Sequence, residues 1–491
     1  IITAPPAFVN SIAANGYLRG FLIALFSVSY YNSAIVSMGE RLKFMEKNLT
    51  SGSVWKNLLC FSLPFLLSYF LQTLYGMADL YIIGQFEGAA SITAVSVGSQ
   101  VMHMITVMVV GLAMGTTVSI ARAVGSSNKK RICGIIGNTV VLFAALSLAL
   151  TGLLLLARRG IVSLVATPAA AVSGTVDYLT VCFFGIPFIV AYNIISAIFR
   201  GMGDSKTPMF FIAAACFANI VLDYYFMGFL GLGPVGAALG TTLSQALSVV
   251  LSLAVILTRR SMGLSLHRGD FRPQKALLQR ILRIGMPIML QDGFVQISFL
   301  IITVLANQRG LTDAAAVGIV EKIISFLFLV PSSMLSAVSA LGAQNLGADK
   351  PQRAVSTLWC AIAIAAGFGL CASLAVQLCA GNTVALFTAD AAVAASGGKY
   401  LRGYIWDCFF AGIQFSFSGY FCALGRAELS FLHNVLSIVL VRVPGAYLAC
   451  RLFPQTLLPM GLASAAGSLL SVIVCLILFR MLQRKNALLP S

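Results

Sequence analysis

The chain has 491 residues, of which 59% are hydrophobic and only 10% are charged, and its formal net charge is +17. Soluble domains carry about 25% charged residues, so this composition, with a mean hydropathy of +0.94, excludes a soluble globular protein. The apolar runs are about 20 residues or longer, as in transmembrane helices, whereas transmembrane β-strands need only about 10. The composition therefore predicts an all-α polytopic membrane protein.

The N-terminal residues 1–44 differ from the rest of the chain. They contain the half-apolar run YLRGFLIALFSVSYYNSAIVSM (17–38), in which Arg19 is the only basic residue before the apolar part, and no A-x-A cleavage site follows. This pattern disfavours a signal peptide. A thirteenth span is one alternative; we instead interpret residues 1–44 as an extension outside the natural product and expect translation to begin at Met45.

Twelve apolar runs separated by polar breaks follow in chain order. We predict membrane spans near residues 57–84, 90–117, 133–157, 175–199, 207–230, 234–258, 281–307, 314–342, 355–380, 399–424, 429–450 and 459–480.

The basic residues are distributed unevenly between the two sides of these spans. The even-numbered loops, the C-terminal tail and the stretch from Arg41 to the first span hold 23 Lys and Arg residues, seven of them from Arg259 to Arg283, whereas the odd-numbered loops hold six. We expect the protein to lie in the plasma membrane. The positive-inside rule then predicts that both termini and the middle loop are cytoplasmic. The positive charge therefore reflects topology, and we expect no nucleic-acid partner.

The cysteines and histidines give no sign of a metal site. The eleven cysteines contain no C-x-x-C pair, and His103, His267 and His433 form no metal-binding pattern. Scattered cysteines in apolar runs are typical of packed core positions. We expect no resident metal or cofactor, and no enzyme activity, since no nucleophile elbow or phosphate loop accompanies the acidic residues.

The two halves of the chain resemble each other. VSIARAVGSSNKKR (118–131) matches VSALGAQNLGADKPQR (338–353) at a shift of 222, and the same shift takes Gly203 to Gly425. A repeat of six spans returns the chain to the same side, so the copies should be parallel and related by a pseudo-two-fold axis along the membrane normal. We predict an N-lobe at 45–258, a cytoplasmic linker at 259–280 and a C-lobe at 281–491.

Five of the fifteen acidic residues lie at least five residues inside the predicted spans, and only Lys322 and Arg442 are basic at such depth. A carboxylate in lipid is costly and is retained where it faces a partner, a wet cavity or a proton. The five acids are Asp79, Asp223, Asp292, Glu321 and Asp407. A membrane interior with this balance attracts cations.

In the N-lobe, Asn219 and Asp223 are one helical turn apart and share a face. Two nearby carboxylates cannot cheaply both ionise, so one of them should bind a proton or a sodium ion. The candidate polar residues of this lobe are Asp79, Asn193, Ser196, Asn219, Asp223 and Thr241, with Gln72 and Tyr75 as further candidates for a cavity lining.

In the C-lobe, Asp292, Glu321 and Asp407 are candidates for a second acidic site. Glu321 lies next to Lys322, which offers a local ion pair, and Arg402 is expected to extend toward Asp407. The sequence leaves two interpretations open for these three acids: they bind a transported ion, or they form ion pairs that only stabilise the fold.

Several stretches resemble the multidrug and toxic compound extrusion (MATE) family. They are QTLYGMADLYIIGQ, VSIARAVGS, FRGMGDSKTP and, most specifically, NIVLD followed by GLGPVGAALGTTLSQ. The resemblance covers about residues 46–485. It implies a twelve-helix, two-lobed antiporter that exports organic cations in exchange for sodium ions or protons and needs no cofactor.

The resemblance also assigns residues. The family's first-lobe cation site falls on Asp79, Asn219, Asp223 and Thr241, with Asn193 beside it. In some branches a second-lobe acid lies on spans seven and ten; span ten carries Asp407, but on span seven the acid is Asp292, three residues before the expected position.

Two alternative functions remain open at this point. A flippase for a lipid-linked oligosaccharide shares the two-lobed architecture, although its anionic substrate would call for several arginines at membrane depth. An exporter of a narrow range of metabolites is the other alternative. In each case we expect a monomer in the lipid bilayer with a small-molecule or lipid-linked substrate.

Overall fold

The computed structural model describes residues 49–165, 167–258 and 266–487. The extension 1–44, the proposed start at Met45 and residues 259–265 of the predicted linker lie outside these ranges.

Within the described ranges the chain forms sixteen α-helices and no β-strand. They are α1 (Val54–Phe86), α2 (Ala89–Gly125), α3 (Lys129–Leu164), α4 (Val172–Phe184), α5 (Ile186–Gly201), α6 (Lys206–Asp223), α7 (Gly233–Thr258), α8 (Lys275–Asn307), α9 (Leu311–Leu327), α10 (Leu329–Gly347), α11 (Pro351–Ala385), α12 (Ala391–Tyr404), α13 (Trp406–Ala423), α14 (Ala427–Ser437), α15 (Val443–Leu452) and α16 (Leu458–Ala487).

These helices account for the predicted spans. In the described part of the chain, ten helices or continuous helix pairs are long and apolar enough to cross a membrane, and α4 with α5 forms an eleventh that is bent by 48°. Predicted span ten (399–424) falls on α12 and α13. Its hydropathy is lowered by polar residues such as Asp407 and Gln414, which are buried inside the protein. With this pair, the helices provide the twelve predicted crossings.

The helices pack as two lobes that contact each other reciprocally. α1, which is span one, packs on α10 from span eight, and α8, which is span seven, packs on α2 from span two. Replacing each span by its counterpart in the other lobe, six spans away in the chain, turns the first contact into the second. This is the arrangement expected from a pseudo-two-fold axis between parallel repeats.

Backbone contacts at one end of the bundle show the same symmetry. A side-chain carbon on Gly125 would overlap the carbonyl oxygen of Gln344, and one on Gly347 would overlap that of Arg122. The pairs 122/344 and 125/347 are both 222 residues apart, as are Ser127 and Asp349, which both have positive φ (53° and 55°). We call this end, where Gly125 and Gly347 meet, the closed end.

The second part of the linker is held against the N-lobe by Asn138 of α3. Its Oδ1 accepts a hydrogen bond from the backbone N–H of Gln274 (2.6 Å), and its Nδ2 faces the carbonyl oxygens of Asp270 and Arg272 at 3.3 Å. Asn138 itself is fully buried. The chain therefore enters the C-lobe from a fixed position.

Two π-helical segments interrupt otherwise regular spans. Tyr224–Phe229 follows Asp223 at the end of α6, and Ile438–Arg442 joins α14 to α15. These are spans five and eleven, which correspond in the repeat. Short π segments leave the regular helical hydrogen-bond pattern and are frequent at functional sites.

Candidate ion site and interlobe pocket

Four of the predicted N-lobe residues meet between three helices. Asp79 comes from α1, Asn219 and Asp223 from α6, and Thr241 from α7, whose Oγ1 donates to Asp79 Oδ2 at 3.2 Å. The Asp79 side chain interacts with those of Asp223 and Asn219. Both carboxylates are at most 3% exposed. We call these four residues the first acidic site.

Polar atoms in this site lack partners. Asp79 Oδ1, both carboxylate oxygens of Asp223 and both amide atoms of Asn219 are buried without a hydrogen bond in the described structure. Leaving a buried polar group unsatisfied costs about 1–3 kcal/mol, and more for a charged one. A set of carboxylate, amide and hydroxyl oxygens suits a hard cation or a shared proton, and either would remove this cost.

The packing around Asp223 leaves little free space. A side-chain carbon on Gly240 of α7 would overlap Asp223 Oδ1, so glycine lets α7 approach the carboxylate closely. Gly240 belongs to the small-residue run GAALGTTLS. Small residues of this kind permit close helix contact in membranes.

The sequence analysis missed some neighbours of the site. Tyr178 and Cys182 of α4 lie one turn apart and both interact electrostatically with Asp79. Tyr75, a predicted cavity residue, lies near Asp79 and contacts Gln245 of α7. Gln245 is four residues after Thr241, so the helical repeat that identified Asn219 and Asp223 would have found it.

Three other predicted residues form no hydrogen bond with the two carboxylates in the described structure. Asn193 donates through Nδ2 to Ile189 O and lines a pocket between the lobes. Ser196 is fully buried beside Tyr192. Gln72 is half-buried on α1, with no hydrogen bond recorded for its side chain in the described structure.

A pocket between the lobes is lined by residues of both. It is formed by Phe65, Val110, Ala113, Met114, Thr117, Asn193, Ala197, Arg200 and Ser336. Arg200, which the sequence placed in a loop, is only 9% exposed, and its guanidinium lies 4.9 Å from the centre of the Phe65 ring. The pocket therefore has a mixed lining of five apolar and four polar or charged residues, with one positive charge.

The C-lobe acids are arranged around a buried arginine. Arg442 Nη2 lies 3.9 Å from Asp407 Oδ2 and donates to the Tyr404 hydroxyl at 2.6 Å. Glu321 also interacts with Arg442. We call Glu321, Asp407 and Arg442 the second acidic site. The expectation that Arg402 extends toward Asp407 is wrong, because the Asp407 carboxylate pairs with Arg442 instead.

Asp292 is separate from the second acidic site. It lies on α8 where this helix packs against α2, and its Oδ2 would be 2.7 Å from a side-chain carbon on Gly111. The three predicted C-lobe acids therefore do not form one cluster. Asp292 belongs to the lobe interface.

Corresponding positions in the two lobes carry different charges. The residue numbers of Pro64 and Pro287 differ by 223. The same shift in number takes Asn219 to Arg442. The run GAALGTTLS aligns with ASAAGSLLS, which takes Gly240 to Gly467 and Thr241 to Ser468. Ser468 lies near Asp407, as Thr241 lies near Asp79, but only Thr241 forms a hydrogen bond to its aspartate. One lobe thus has an amide where the other has a guanidinium.

A conventional metal centre is absent from the described residues, which contain no group of three or more His, Cys, Asp or Glu side chains placed to hold a metal ion. The oxygen-rich first acidic site has two carboxylates, an amide and a hydroxyl. That donor set fits a weakly held, exchangeable cation better than a resident metal.

A protein-family comparison matches the chain twice. The model of the family described as MatE matches residues 64–225 and 287–448. The two matches are offset by 223 residues, in agreement with the internal repeat.

Curated relatives and a solved structure give consistent results. The chain is 27% identical over 397 residues to the probable multidrug resistance protein YpnP of Bacillus subtilis (strain 168), covering 81% of this chain and 88% of that protein. It is 25% identical over 417 residues to the multidrug export protein MepA of Staphylococcus aureus (strain NCTC 8325 / PS 47), covering 85% and 91%. A crystal structure of a MATE protein in complex with MaL6 matches with a TM-score of 0.84 and 25% identity, over 90% of this chain and 98% of that chain.

Proposed function

This chain belongs to the MatE family of multidrug efflux transporters, and from that premise we propose that it exports organic cations in exchange for sodium ions or protons. It is a multi-pass membrane transporter and not an enzyme. The observation that carries the proposal is the first acidic site, where Asp79 and Asp223 interact with each other. No basic side chain is among the groups that interact with this pair in the described structure.

The coupling ion would neutralise these two carboxylates. When Na⁺ or a proton binds, the buried negative charge is compensated and the unpaired oxygens gain a partner. Asp79 is on α1 and Asp223 on α6, so binding would draw these helices together and change the N-lobe side of the interlobe pocket. Coupling requires that ion and substrate favour different conformations.

We place the coupling ion in the N-lobe because the C-lobe has its own cation. Arg442 contacts Asp407 and interacts with Glu321, and its guanidinium also lies 4.8 Å from the Phe299 ring centre. A tethered guanidinium cannot leave during the transport cycle. The second acidic site would then be a structural network that lacks an exchangeable ion.

The interlobe pocket would bind the substrate. Its volume of about 10 Å³ holds about one water molecule, so an organic cation would bind only after the lobes move apart there. Phe65, Val110 and Met114 would then offer apolar contacts, and Asn193 a polar one. The closed end would face the cytoplasm, as the distribution of basic residues predicts, so the described conformation would release substrate outward. We propose a monomer, since each chain supplies both lobes.

A flippase for an anionic lipid-linked oligosaccharide is the second candidate, and one observation favours it. Arg200 lines the interlobe pocket, and its positive charge would attract an anion and repel a cation. A narrow metabolite exporter uses the same geometry. The flippase differs from the cation exporter in the charge of the transported molecule.

The test is efflux from proteoliposomes. A fluorescent organic cation is loaded, and a sodium or proton gradient is imposed on wild type, Asp223→Asn and the control Asp177→Asn, which alters an exposed carboxylate of the same lobe. We expect one gradient to drive efflux in wild type and in the control, and efflux to be lost in Asp223→Asn.

Other results would redirect the proposal. Efflux that survives Asp223→Asn would move coupling away from the first acidic site. If wild type transports no cation with either gradient but translocates an anionic lipid-linked sugar, the flippase is the function.

A further inference from the structure

Four arginines surround an open cleft at the closed end of the bundle. Arg122 comes from the end of α2, Arg280 and Arg283 from α8, and Arg426 from the turn between α13 and α14. The cleft has a volume of about 830 Å³, and its other lining residues are Ala276, Gln279, Leu282, Ile284, Leu424 and Gly425. We call it the arginine cleft.

The lining of the cleft contains no aspartate or glutamate. None of the four arginines is in an ion pair within the described residues, whose ion pairs are Arg309–Asp313 and Arg442–Asp407. The cleft therefore concentrates about four positive charges without an internal counter-charge. A concave surface with one sign of charge raises the local concentration of the opposite ion.

The arginines also repel one another. Arg280 interacts unfavourably with Arg122, and both interact unfavourably with Arg131. The positive-inside rule explains basic residues on this side, but it does not require residues from three separate segments to converge on one cleft. An anion bound there would turn the mutual repulsion into attraction to a common partner.

The cleft spans both lobes. Arg122 belongs to the N-lobe, yet its Nη1 lies 3.7 Å from the position that a side-chain carbon on Gly425 of the C-lobe would take. Arg280, the last residue of the predicted linker, and Arg283 lie on α8, and Arg426 lies in the C-lobe. The contacts of Gly125 with Gln344 and of Gly347 with Arg122 lie beside the cleft, so a ligand here would connect the lobes where they already meet.

We propose that the arginine cleft binds a phosphate-bearing anion that bridges the two lobes and stabilises the closed end. Guanidinium groups form paired hydrogen bonds to phosphate oxygens, and basic pockets between helices on the cytoplasmic side are suited to lipid phosphates. The same chemistry is offered by an anionic lipid headgroup and by a soluble phosphate compound. This site is distinct from the first acidic site and does not depend on which ion drives transport.

The experiment measures thermal unfolding of the full-length protein in detergent micelles. One arm titrates phosphatidylglycerol, with zwitterionic phosphatidylcholine as its control, and the other titrates inorganic pyrophosphate, with sodium chloride of equal ionic strength as its control. A ligand that binds only the folded protein raises the unfolding temperature, and the rise grows with the logarithm of the ratio of ligand concentration to Kd.

The variants separate a specific cleft from general surface charge. Arg122→Gln/Arg280→Gln removes two cleft arginines, one from α2 and one from α8, whereas Arg480→Gln/Arg484→Gln removes two exposed arginines of α16 that do not line the cleft. We expect the apparent Kd in the cleft variant to rise by about tenfold for each arginine, with no change in the α16 variant.

The single variants Arg283→Gln and Arg426→Gln alter exposed side chains and keep the test valid if the double cleft variant does not fold. Each should weaken binding by about tenfold. A rise in unfolding temperature with phosphatidylglycerol alone identifies a lipid, and one with pyrophosphate alone identifies a soluble anion. No specific rise with either probe, or an equal rise in cleft and α16 variants, would overturn the proposal.

Discussion

The two lobes of this transporter match the same family model but differ in how they compensate buried acids. In the N-lobe, Asp79 and Asp223 face Asn219 and Thr241, and buried oxygens remain without hydrogen bonds in the described structure. In the C-lobe, Arg442 occupies the position that corresponds to Asn219 and contacts Asp407. The acids themselves also lie at different positions, because the same shift takes Asp79 to Ile302 and Asp223 to Ala446. The N-lobe thus has a site suited to an exchangeable ion, whereas the C-lobe has acids with a built-in cation.

Arg442→Asn gives the C-lobe the residue of the N-lobe and should have the largest effect on stability. Removing one partner of a buried ion pair costs about 3–5 kcal/mol, so the free energy of unfolding should fall by that amount at neutral pH. Asp407 and Glu321 would then need protons or Na⁺, so the loss should shrink as the pH is lowered or sodium is added. Chemical denaturation across pH and sodium concentration measures both effects.

Arg451→Ala is the control for this substitution. Arg451 is exposed and lies 5.5 Å from the Tyr447 ring centre, so its loss should change stability little at any pH. A wild-type free energy of unfolding for Arg442→Asn, without sodium or proton dependence, would show that Arg442 does not compensate the C-lobe acids.

Gly240→Ala should disrupt ion binding in the N-lobe by steric overlap with Asp223 Oδ1. Overpacking such a contact costs about 1–3 kcal/mol, which corresponds to an ion affinity lower by about 10–100-fold. The ion concentration that gives half-maximal efflux from proteoliposomes measures this change.

Gly467→Ala is the matched substitution in the C-lobe. The nearest atoms to its new side chain are Arg442 Cβ and Ser437 Oγ, both at 3.1 Å, which small shifts can accommodate. Its ion dependence should stay at the wild-type value. Equal losses in the two alanine variants would indicate that both lobes bind the coupling ion.

Asn219→Ala and Asn193→Ala distinguish the ion site from the interlobe pocket. Asn219 interacts with Asp79 of the first acidic site, so its loss should weaken ion binding by about tenfold. Asn193 lines the pocket, so its loss should alter the substrate concentration for half-maximal efflux and leave the ion dependence unchanged. The reverse pattern would place the ion site in the pocket.

Thr241→Val and Ser468→Ala should have the smallest effects. The hydrogen bond from Thr241 to Asp79 contributes about 0.5–1.5 kcal/mol, so its loss should weaken ion binding by about two- to tenfold. Ser468 accepts a hydrogen bond from Gln414 at 2.9 Å in the C-lobe, so Ser468→Ala should leave ion binding unchanged. Titration of ion-dependent efflux compares them, and a larger effect of Ser468→Ala would contradict the assignment of the lobes.

Local spacing and the family resemblance together account for the residues that meet in the first acidic site, whose ion binding stays a prediction. Asn219 and Asp223 share a helix face because they are one turn apart, and the family resemblance supplied Asp79 and Thr241 on other helices. Asn193 was placed beside them although it lines the pocket. Its span bends by 48° between α4 and α5, so Tyr178 and Cys182 on α4 face Asp79 while Asn193 on α5 does not share their face.

Contacts between side chains that are distant in the sequence are harder to predict. Arg402 is near Asp407 in the chain and was expected to pair with it, but Arg442 lies 3.9 Å from this carboxylate. That contact depends on how α12, α13 and the π segment before α15 pack, which chain spacing does not specify. The arginine cleft likewise combines three distant segments, so a sequence count of basic residues could indicate a side of the membrane but not a binding site.

The most direct test of the central claim is the number of coupling ions bound by the purified protein. Binding of ²²Na⁺ and uptake of protons are measured for wild type, Asp223→Asn and Glu321→Gln, which leaves the Asp407–Arg442 pair in place. We predict one exchangeable ion in wild type and in Glu321→Gln, and none in Asp223→Asn. Ion binding that is kept in Asp223→Asn and lost in Glu321→Gln would contradict the account and place the coupling ion in the C-lobe.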